Sequence, residues 1–227
     1  MKKKLHTLLF ALLPLAGFAQ QIDTPFTDTS PLKLGFNVGA TYAGIRGNDQ
    51  AKANNSTIDY LIGISLEAPL NDDFSLIGNV NYERLALTRT VPFASINDPF
   101  DPVVSENGYG TRLTLQHITV PINLKYYIGE SKGYYVNGGV FVRYFLGQSV
   151  RINGEKVDGG SYGSFQDFTY GINLGLGMRF TIDEKSAINV ELRDNLGLSN
   201  ITRQPTVNGG SVKTNSVNLI VNWQFDF

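Results

Sequence analysis

YGINLGLGMRF, at residues 170–180, shows the pattern that decides the fold of this chain. Its odd-numbered positions are glycine, asparagine or arginine. Its even-numbered positions are all apolar: Tyr170, Ile172, Leu174, Leu176, Met178 and Phe180. A β-strand points successive side chains to opposite faces, so a period of two indicates a strand with one apolar and one polar face.

Seven other segments on either side of this stretch repeat the alternation. They lie at 32–42, 58–67, 75–83, 118–126, 134–144, 188–193 and 217–227. The total of eight is an even number, as the antiparallel closure of a bacterial outer-membrane barrel requires.

The connections between these segments are sorted by length. Three are tight turns (71–73, 129–133 and 183–186), whereas four are long and polar (46–56, 89–112, 147–167 and 200–213). Short turns at one rim and long loops at the other are typical of outer-membrane barrels. The prediction is an all-β fold: an eight-stranded antiparallel up-and-down transmembrane β-barrel with short periplasmic turns and long extracellular loops. Val150 and Ile152 still alternate, which suggests a hairpin that continues the strands above the membrane.

Aromatic residues gather at both ends of the apolar face. Near the short-turn rim they are Phe74, Tyr126, Tyr134, Phe180, Phe225 and Phe227, and near the long-loop rim Tyr42, Tyr60, Tyr82, Tyr144 and Tyr170. Two girdles that flank an aliphatic band match the two interfaces of a membrane. The opposite face is rich in small polar residues, which suits a tight interior. A soluble barrel with its apolar face inward is the alternative.

Composition narrows the classes of function. The absence of cysteine excludes a disulfide framework, a thiolate metal site and a cysteine nucleophile. Nineteen basic and 20 acidic residues give a net charge of −1, which offers no basic field to nucleic acid. A mean hydropathy of −0.10, without a long apolar run in the body of the chain, excludes a helical membrane protein.

The N-terminus has the order of a secretory signal. Three lysines precede an apolar run, and the small residues Gly17 and Ala19 favour cleavage after residue 19. We interpret residues 1–19 as a signal peptide rather than a buried helix. Residues 20–31 are polar and contain two prolines, which indicates a flexible periplasmic leader. Residues 32–227 then form the barrel.

The polar face carries ten charged residues whose signs balance. The cations are Lys33, Lys125, Arg143, Arg179 and Arg193, and the anions are Asp59, Glu67, Glu83, Glu191 and Asp226. Strand direction places Asp59, Glu83, Arg143 and Arg193 toward the outside and the other six toward the periplasm. Charges out of bulk water must be paired or hydrogen-bonded, so we predict a salt-bridged, closed lumen. The alternative is a set of hydrated charges around a water-filled lumen.

Two places depart from the pattern. Asp194 falls on the lipid-facing register between leucines, so either a β-bulge turns it inward or the strand leaves the bilayer early. Leu85 and Leu87 fall on the polar register after Glu83, which predicts that the third strand changes phase or ends there.

Several stretches resemble the PorT-like small outer-membrane β-barrels of Gram-negative bacteria. They are HITVPINLKYYIG at 117–129, GYYVNGGVFVRYFLG at 133–147, FTYGINLGLGMRF at 168–180, VELRDNLGLSNI at 190–201 and the final NLIVNWQFDF. The resemblance covers about residues 32–227.

The resemblance implies an integral outer-membrane protein without enzymatic activity. The last strand, with Trp223, Phe225 and Phe227, resembles the signal that the barrel-assembly machinery reads. The founding member of the family is linked to a protein secretion and surface-attachment system, so a protein partner at the surface or in such a system is implied. Outer-membrane lipid and lipopolysaccharide are the other expected partners.

Candidate chemistry on the chain is sparse. His117 is the one histidine beyond the predicted signal peptide, and its inward position near Asp59 and Glu83 suits a rim histidine better than a lipid-facing catalyst. Asp98, Asp101 and Glu106 have no regular calcium-ligand spacing, so we expect no metal and no cofactor.

Three functions from different classes remain. We expect a structural or surface-interaction protein that acts through four outer loops. A narrow solute channel is the alternative, because the predicted lumen is polar. A lipid A-modifying enzyme rests on His117 alone.

Overall fold

The computed structural model describes residues 32–47, 54–95, 103–157, 164–203 and 210–226, with the backbone alone at 91–95 and 103–107. The predicted signal peptide at 1–19, the leader at 20–31, Asp98, Asp101 and Phe227 lie outside the described residues, as does the side chain of Glu106.

The described residues form eight long strands and one strand of two residues. They are β1 (Lys33–Arg46), β2 (Asn55–Pro69), β3 (Phe74–Ser95), β4 (Val103–Ile128), β5 (Tyr134–Ile152), β6 (Glu155–Lys156), β7 (Phe168–Thr181), β8 (Ser186–Gly197) and β9 (Lys213–Asp226). No helix in the described part of the chain is long and apolar enough to cross a bilayer.

The eight long strands close into a ring. Each pairs antiparallel with its neighbours in the order β1, β2, β3, β4, β5, β7, β8 and β9. β9 pairs back with β1, from Lys33 opposite Asp226 to Arg46 opposite Lys213. The predicted eight-stranded antiparallel barrel is confirmed.

Much of the segment predicted as a loop at 89–112 is strand. β3 runs to Ser95 and β4 begins at Val103, and the two pair over most of this length. Backbone hydrogen bonds alone make this pairing, so polar residues can continue it where the apolar face has ended. The bounds predicted for this long polar connection are therefore wrong, because β3 and β4 continue into it.

The hairpin expected within segment 147–167 is present. β5 continues to Ile152, turns at Asn153 and Gly154, and pairs with β6. Both turn residues have positive φ, 50° at Asn153 and 90° at Gly154, as a type I′ hairpin turn requires.

The alternation places the apolar residues outside and the polar residues inside. On β7, Leu174 is 69% exposed, whereas the neighbouring Asn173 is 6% exposed. The interior wall is built mainly from buried Asn, Ser, Thr and charged side chains. This is the reverse of a soluble protein, and it presents an aliphatic band outward.

β3 keeps its phase beyond Glu83, contrary to the prediction. It pairs with β4 without a shift from Glu83 opposite His117 to Pro92 opposite Gly108. Leu85 and Leu87 therefore continue to face inward, and each is 2% exposed. The side chains of the strand keep their inward and outward directions at this height. What changes is the interior, which is polar below this height and apolar above it.

No bulge turns Asp194 inward. β8 pairs regularly with both neighbours, and Asp194 lies opposite Leu174 and Val217 on the exposed outer face. The first of the two alternatives for this residue is therefore wrong.

Besides an irregularity between Pro92 and Ala94 of β3, two bulges interrupt the ladders toward the long-loop rim. One adds a residue to β2 between Thr57 and Leu61, against β3. The other adds a residue to β5 at Leu146, where Gln116 pairs with Gly147 but His117 with Phe145. A bulge changes the direction of the side chains beside it, so the simple alternation fails at both places.

Candidate functional site: the interior of the barrel

The periplasmic half of the lumen is organised around Glu67. Its carboxylate accepts hydrogen bonds from Lys125 Nζ at 3.0 Å, Tyr127 Oη at 2.6 Å and Gln224 Nε2 at 2.9 Å. The ammonium of Lys125 also lies 4.0 Å from the ring centre of Tyr135, a cation–π contact. Three donors, one of which is the paired cation Lys125, compensate the burial of the carboxylate.

A second buried pair lies on β8. Glu191 and Arg193 are two residues apart, so both side chains point into the lumen, where Arg193 Nε donates to Glu191. Tyr135 Oη donates to the other carboxylate oxygen at 3.1 Å.

Glycines on β7 leave room for these aromatic side chains. A Cβ on Gly177 would lie 2.3 Å from the ring of Tyr135, and one on Gly171 would lie 2.6 Å from the ring of Phe141. The inward glycines of this strand therefore accommodate side chains that cross from β5.

A ladder of asparagines lies between the charged layers. Asn37 Nδ2 donates to Asn79 and Asn81, both at 2.9 Å. Asn222 Nδ2 donates to Asn37 Oδ1 at 2.7 Å and to Ser65 Oγ at 2.9 Å. These hydrogen bonds connect four neighbouring strands, β9, β1, β2 and β3, along the inner wall.

The outer polar layer is centred on Glu83 and Arg143, which are 1% and 0% exposed. Arg143 Nε lies 3.2 Å from Glu83 Oε2, and Thr119 Oγ1 donates to the same oxygen at 2.6 Å. From the opposite wall, Asn218 Nδ2 donates to Glu83 at 3.0 Å.

Arg143 reaches the same opposite wall. It donates to Thr214 Oγ1 at 2.9 Å and to Ser216 Oγ at 2.8 Å, both on β9. Since Arg143 stands on β5, three strands away around the ring, its side chain spans the bore.

An apolar cluster lies beyond this layer, toward the long-loop rim. We call it the cap. It consists of Ala43, Leu85, Leu115, Ile201 and Val212, with Ile45, Leu113, Phe145 and Phe165 packed against them. Most of these residues stand on barrel strands, but Phe165, Ile201 and Val212 come from the connecting segments.

Backbone hydrogen bonds hold the connecting segments over the bore. Ile201 N donates to Val212 O and Gln166 N donates to Ile201 O, both at 2.8 Å. Phe165 pairs with Thr202 in an isolated β-bridge, and its ring lies 5.4 Å from that of Phe145. The outer end of the lumen is thus filled by apolar side chains.

Sequence reasoning missed the cap. The sequence signals of the cap were the inward register of Leu85 and the presence of apolar residues such as Ile201 within a polar connection. These signals could be recognised only once the strand was known to keep its phase.

Nine of the ten predicted lumen charges line the interior or its periplasmic rim. Glu67, Glu83, Lys125, Arg143, Glu191 and Arg193 are buried in pairs, whereas Lys33, Arg179 and Asp226 are half-buried. The expected separation into two layers is incomplete, because Arg193 pairs with Glu191 of the other layer.

Asp59 differs from the prediction. Its carboxylate pairs with Arg84 at 3.3 Å and with Arg112 at 3.0 Å, and both arginines occupy outward-facing positions. Asp59 lies in the bulge of β2, where the alternation that placed it in the lumen no longer holds.

His117 faces inward between the outer polar layer and the cap. It is 5% exposed, and its ring lies 5.6 Å from that of Phe145. Within the described residues, no three His, Asp or Glu side chains gather as a metal site would require.

The predicted girdle residues that the structure describes, all except Phe227, stand on the outer face, and none of them is buried. Toward the long-loop rim, the rings of Tyr60 and Tyr82 lie 6.3 Å apart. Toward the short-turn rim, Phe74 and Tyr126 are 4.9 Å apart, and Trp223 and Phe225 are 4.5 Å apart. Of the predicted assembly signal, Trp223 and Phe225 are therefore both on the outer face of β9.

Comparison with known proteins identifies the kind of barrel. The family described as "Outer membrane protein beta-barrel domain" matches residues 18–203. No curated protein matches the chain.

Several solved structures are similar. OprG from Pseudomonas aeruginosa is 14% identical over 88% of this chain and 97% of its own, with a TM-score of 0.48. Neisserial surface protein A is 14% identical over 86% and 97%, with a TM-score of 0.46. Ail of Yersinia pestis is 12% identical over 85% and 98%, with a TM-score of 0.40.

The family match covers most of the barrel strands and agrees with the inverted distribution of apolar residues. This chain belongs to the outer membrane protein beta-barrel domain family and is an integral protein of the outer membrane of a Gram-negative bacterium.

Proposed function

We propose that this protein is a closed, non-enzymatic barrel that acts as a structural or surface-interaction protein through its outer end. The observation that carries the proposal is the double obstruction of the lumen. Arg143 crosses the bore to β9, and the cap fills the space beyond it.

Both obstructions oppose the passage of ions and polar solutes, for different physical reasons. Ions and polar solutes would have to displace the ion pair of Arg143 and Glu83 and its hydrogen bonds, which leaves buried charges unpaired. They would then have to enter a cluster of aliphatic and aromatic side chains without hydrogen-bonding groups.

Planar-bilayer recording tests the closed state. The mature chain, refolded in detergent and inserted, should show no steady conductance, with insertion checked by heat-modifiable mobility on gels. A variant with Phe165→Gly, Ile201→Gly and Arg143→Ala opens part of both obstructions and should conduct, with its insertion checked by the same gel assay. Steady, ion-selective steps from the unmodified protein would refute the closed lumen.

A narrow solute channel is the second candidate. The polar wall of buried Asn, Ser and Thr residues favours it, since such side chains can hold water. The same recording separates the two functions.

We propose no catalytic role for His117. Its ring is buried in the lumen against Phe145, away from the lipid face where a lipid A-modifying enzyme would meet its substrate. Lipid A from a deletion strain should therefore have the same mass spectrum as lipid A from the parent.

The outer hairpins are the proposed contact surface. β3 and β4 extend far beyond the girdle, and β5 and β6 form a second hairpin beside them. The PorT-like resemblance supports a protein partner at the surface or in a secretion system. Proteinase added to intact cells should cleave within segments 89–112 and 147–167; protection of both would argue against surface display.

The last strand supports a role in biogenesis. Trp223 and Phe225 face outward on β9, as an aromatic signal for the barrel-assembly machinery would. Phe225→Ser with Trp223→Ser should reduce the amount of heat-modifiable barrel in the outer membrane. An equal amount of folded protein would contradict this.

A further inference from the structure

Five buried asparagines on the wall between β4 and β9 have amide atoms that the protein does not pair. We call them the amide group: Asn123, Asn137, Asn173, Asn195 and Asn218. Each is 6% exposed or less. Within the described residues, at least one amide atom of each forms no hydrogen bond. Buried polar atoms nearly always have a partner, so such a concentration of unpaired amides points to a ligand in the lumen.

The strand register places the five side chains in two adjacent rows of inward positions. One row, across β4, β5, β7 and β8, consists of Asn123, Gly139, Asn173 and Asn195. The next row toward the periplasm, across β5, β7, β8 and β9, consists of Asn137, Gly175, Arg193 and Asn218. The unpaired atoms therefore face the same part of the lumen.

The protein holds one end of most of these amides and leaves the other end unpaired. Asn123 Nδ2 donates to Asn137 Oδ1 at 3.1 Å, which leaves Asn123 Oδ1 and Asn137 Nδ2 without partners. Asn218 Nδ2 donates to Glu83, and its Oδ1 is unpaired.

The same division applies on β8, whereas β7 shows the extreme case. Asn195 Nδ2 lies 3.4 Å from Ser216 Oγ, and Asn195 Oδ1 has no partner in the described structure. Asn173, directly opposite Asn195, has neither amide atom paired. The two facing side chains thus do not satisfy each other.

Asparagines on the opposite wall behave differently. Asn37 donates from Nδ2 to Asn79 and Asn81, and its Oδ1 accepts from Asn222. Every hydrogen-bonding atom of this amide is used by protein partners. Amides in this lumen can therefore pair with each other, and their failure to do so in the amide group is a local property of that wall.

The surroundings of the amide group favour a neutral ligand. The charged groups beside it are already paired, Arg143 with Glu83 on the outer side and Arg193 with Glu191 on the periplasmic side. An ion would add a charge without a partner in a buried place.

The ligand must also donate and accept hydrogen bonds. Asn137 and Asn173 offer unpaired Nδ2 donors, and Asn123, Asn195 and Asn218 offer unpaired Oδ1 acceptors. Water does both, and a buried water typically forms about three hydrogen bonds. Asparagine and glycine side chains are short, so these rows reach less far into the bore than the lysine and tyrosine side chains nearer the periplasm.

We infer that the amide group binds a cluster of water molecules enclosed in the lumen. Arg143 and the cap separate this water from the outside. Toward the periplasm, the ammonium of Lys125 packs on the ring of Tyr135, whose hydroxyl donates to Glu191. The barrel therefore contains a hydrated chamber between two seals, and its water exchanges slowly with the solvent.

NMR spectroscopy of the mature chain, deuterated on carbon and refolded in detergent micelles, tests this inference. The side-chain amide protons of Asn137 and Asn173 should show cross-peaks to water in NOE and ROE spectra. The peaks should have opposite signs in the two spectra, as for water that tumbles with the protein. The amide of Asn37, which is fully paired, is the internal control and should show none.

Substitution of the amide group should remove the water. Asn173→Leu with Asn195→Leu fills the space and takes away three unpaired atoms, so the cross-peak at Asn137 should be lost. Asn81→Leu makes the same change at an asparagine of the opposite wall and should leave that cross-peak in place. Heat-modifiable mobility checks that each variant folds, and the unmodified chain decides the question if one does not.

Two results would overturn the inference. One is the absence of water cross-peaks at Asn137 and Asn173 in the unmodified chain, or peaks with the signs of freely exchanging water. The other is a high-resolution crystal structure in which Asn173 and Asn195 bond directly to each other with no ordered water beside them. Ordered water within about 3.2 Å of both amides would support the cluster.

The conductance of the barrel is a separate measurement. A conducting lumen would refute the closed state proposed above, whereas slowly exchanging water at Asn173 would still establish the site.

Discussion

The two halves of the lumen are filled by different chemistry. The polar half holds charges that are satisfied by partners from several strands, as around Glu67 and Arg143. The cap is apolar and uses residues from strands and from connecting segments. A buried charge depends on each of its partners, whereas an apolar cluster depends mainly on total packing. We therefore expect a single substitution to lower the free energy of unfolding more in the polar half than in the cap.

Removal of the arginine that spans the bore should have the largest effect. Arg143→Ala leaves Glu83 buried and without its ion-pair partner, which should lower the free energy of unfolding by about 3–5 kcal/mol. Urea titration followed by heat-modifiable mobility measures this. Arg143→Met with Glu83→Gln should recover much of the loss; a double variant as unstable as the single would contradict the role of the pair.

Truncation within the cap should cost less. Leu85→Ala removes buried methyl groups and leaves no charge behind, so we expect a loss of about 2–3 kcal/mol in the same titration. Leu85→Met, which keeps the volume, is the control and should lose less than about 1.5 kcal/mol. A loss as large as that of Arg143→Ala would remove the distinction between the two halves.

A carboxylate on the outer face provides a third comparison. Asp194 is exposed between Leu174 and Val217 and has none of the partners that surround Glu83. Asp194→Leu should therefore stabilise the barrel in lipid bilayers by about 1 kcal/mol. The same substitution should have little effect in a chain measured without a bilayer. Destabilisation in lipid would show that Asp194 has a favourable partner at the membrane.

The smallest effect is expected at a solvent-exposed carboxylate in the short turn between β7 and β8. The hydrogen bond from Ser186 lowers the pKa of Asp183 below its usual 3.8. Asp183 thus contributes its full stabilisation of the folded state above pH 3.8. This stabilisation is lost as the pH falls through the lower pKa that the group has in the folded state. NMR titration of Ser186→Ala should show a higher pKa for Asp183 than in the unmodified chain, while the backbone N–H of Lys185 still lowers it. An unchanged pKa would contradict this.

The general architecture was accessible from local pattern. Strand number, pairing order and the outward direction of residues such as Leu174 all follow from a period of two, because that period is a property of the strand itself. The inward direction of Lys125 and Glu67 follows from the same rule.

Bulges limited what the pattern could predict. One extra residue in β2 separates Asp59 from the lumen and places it with Arg84 and Arg112. A bulge cannot be predicted from the alternation of apolar and polar residues, because it is a place where that alternation is interrupted. The same is true of Leu146 on β5.

Sequence alone was sufficient for the barrel, its outward apolar face and nine of the ten charges predicted to face inward, since each depends on the residue type and its parity along a strand. Tertiary structure decided which charges meet, that Ile201 and Phe165 fold over the bore, and that Arg112 stands beside Arg151. These depend on register between strands that are distant along the chain, which is set by closure of the whole ring rather than by any one segment.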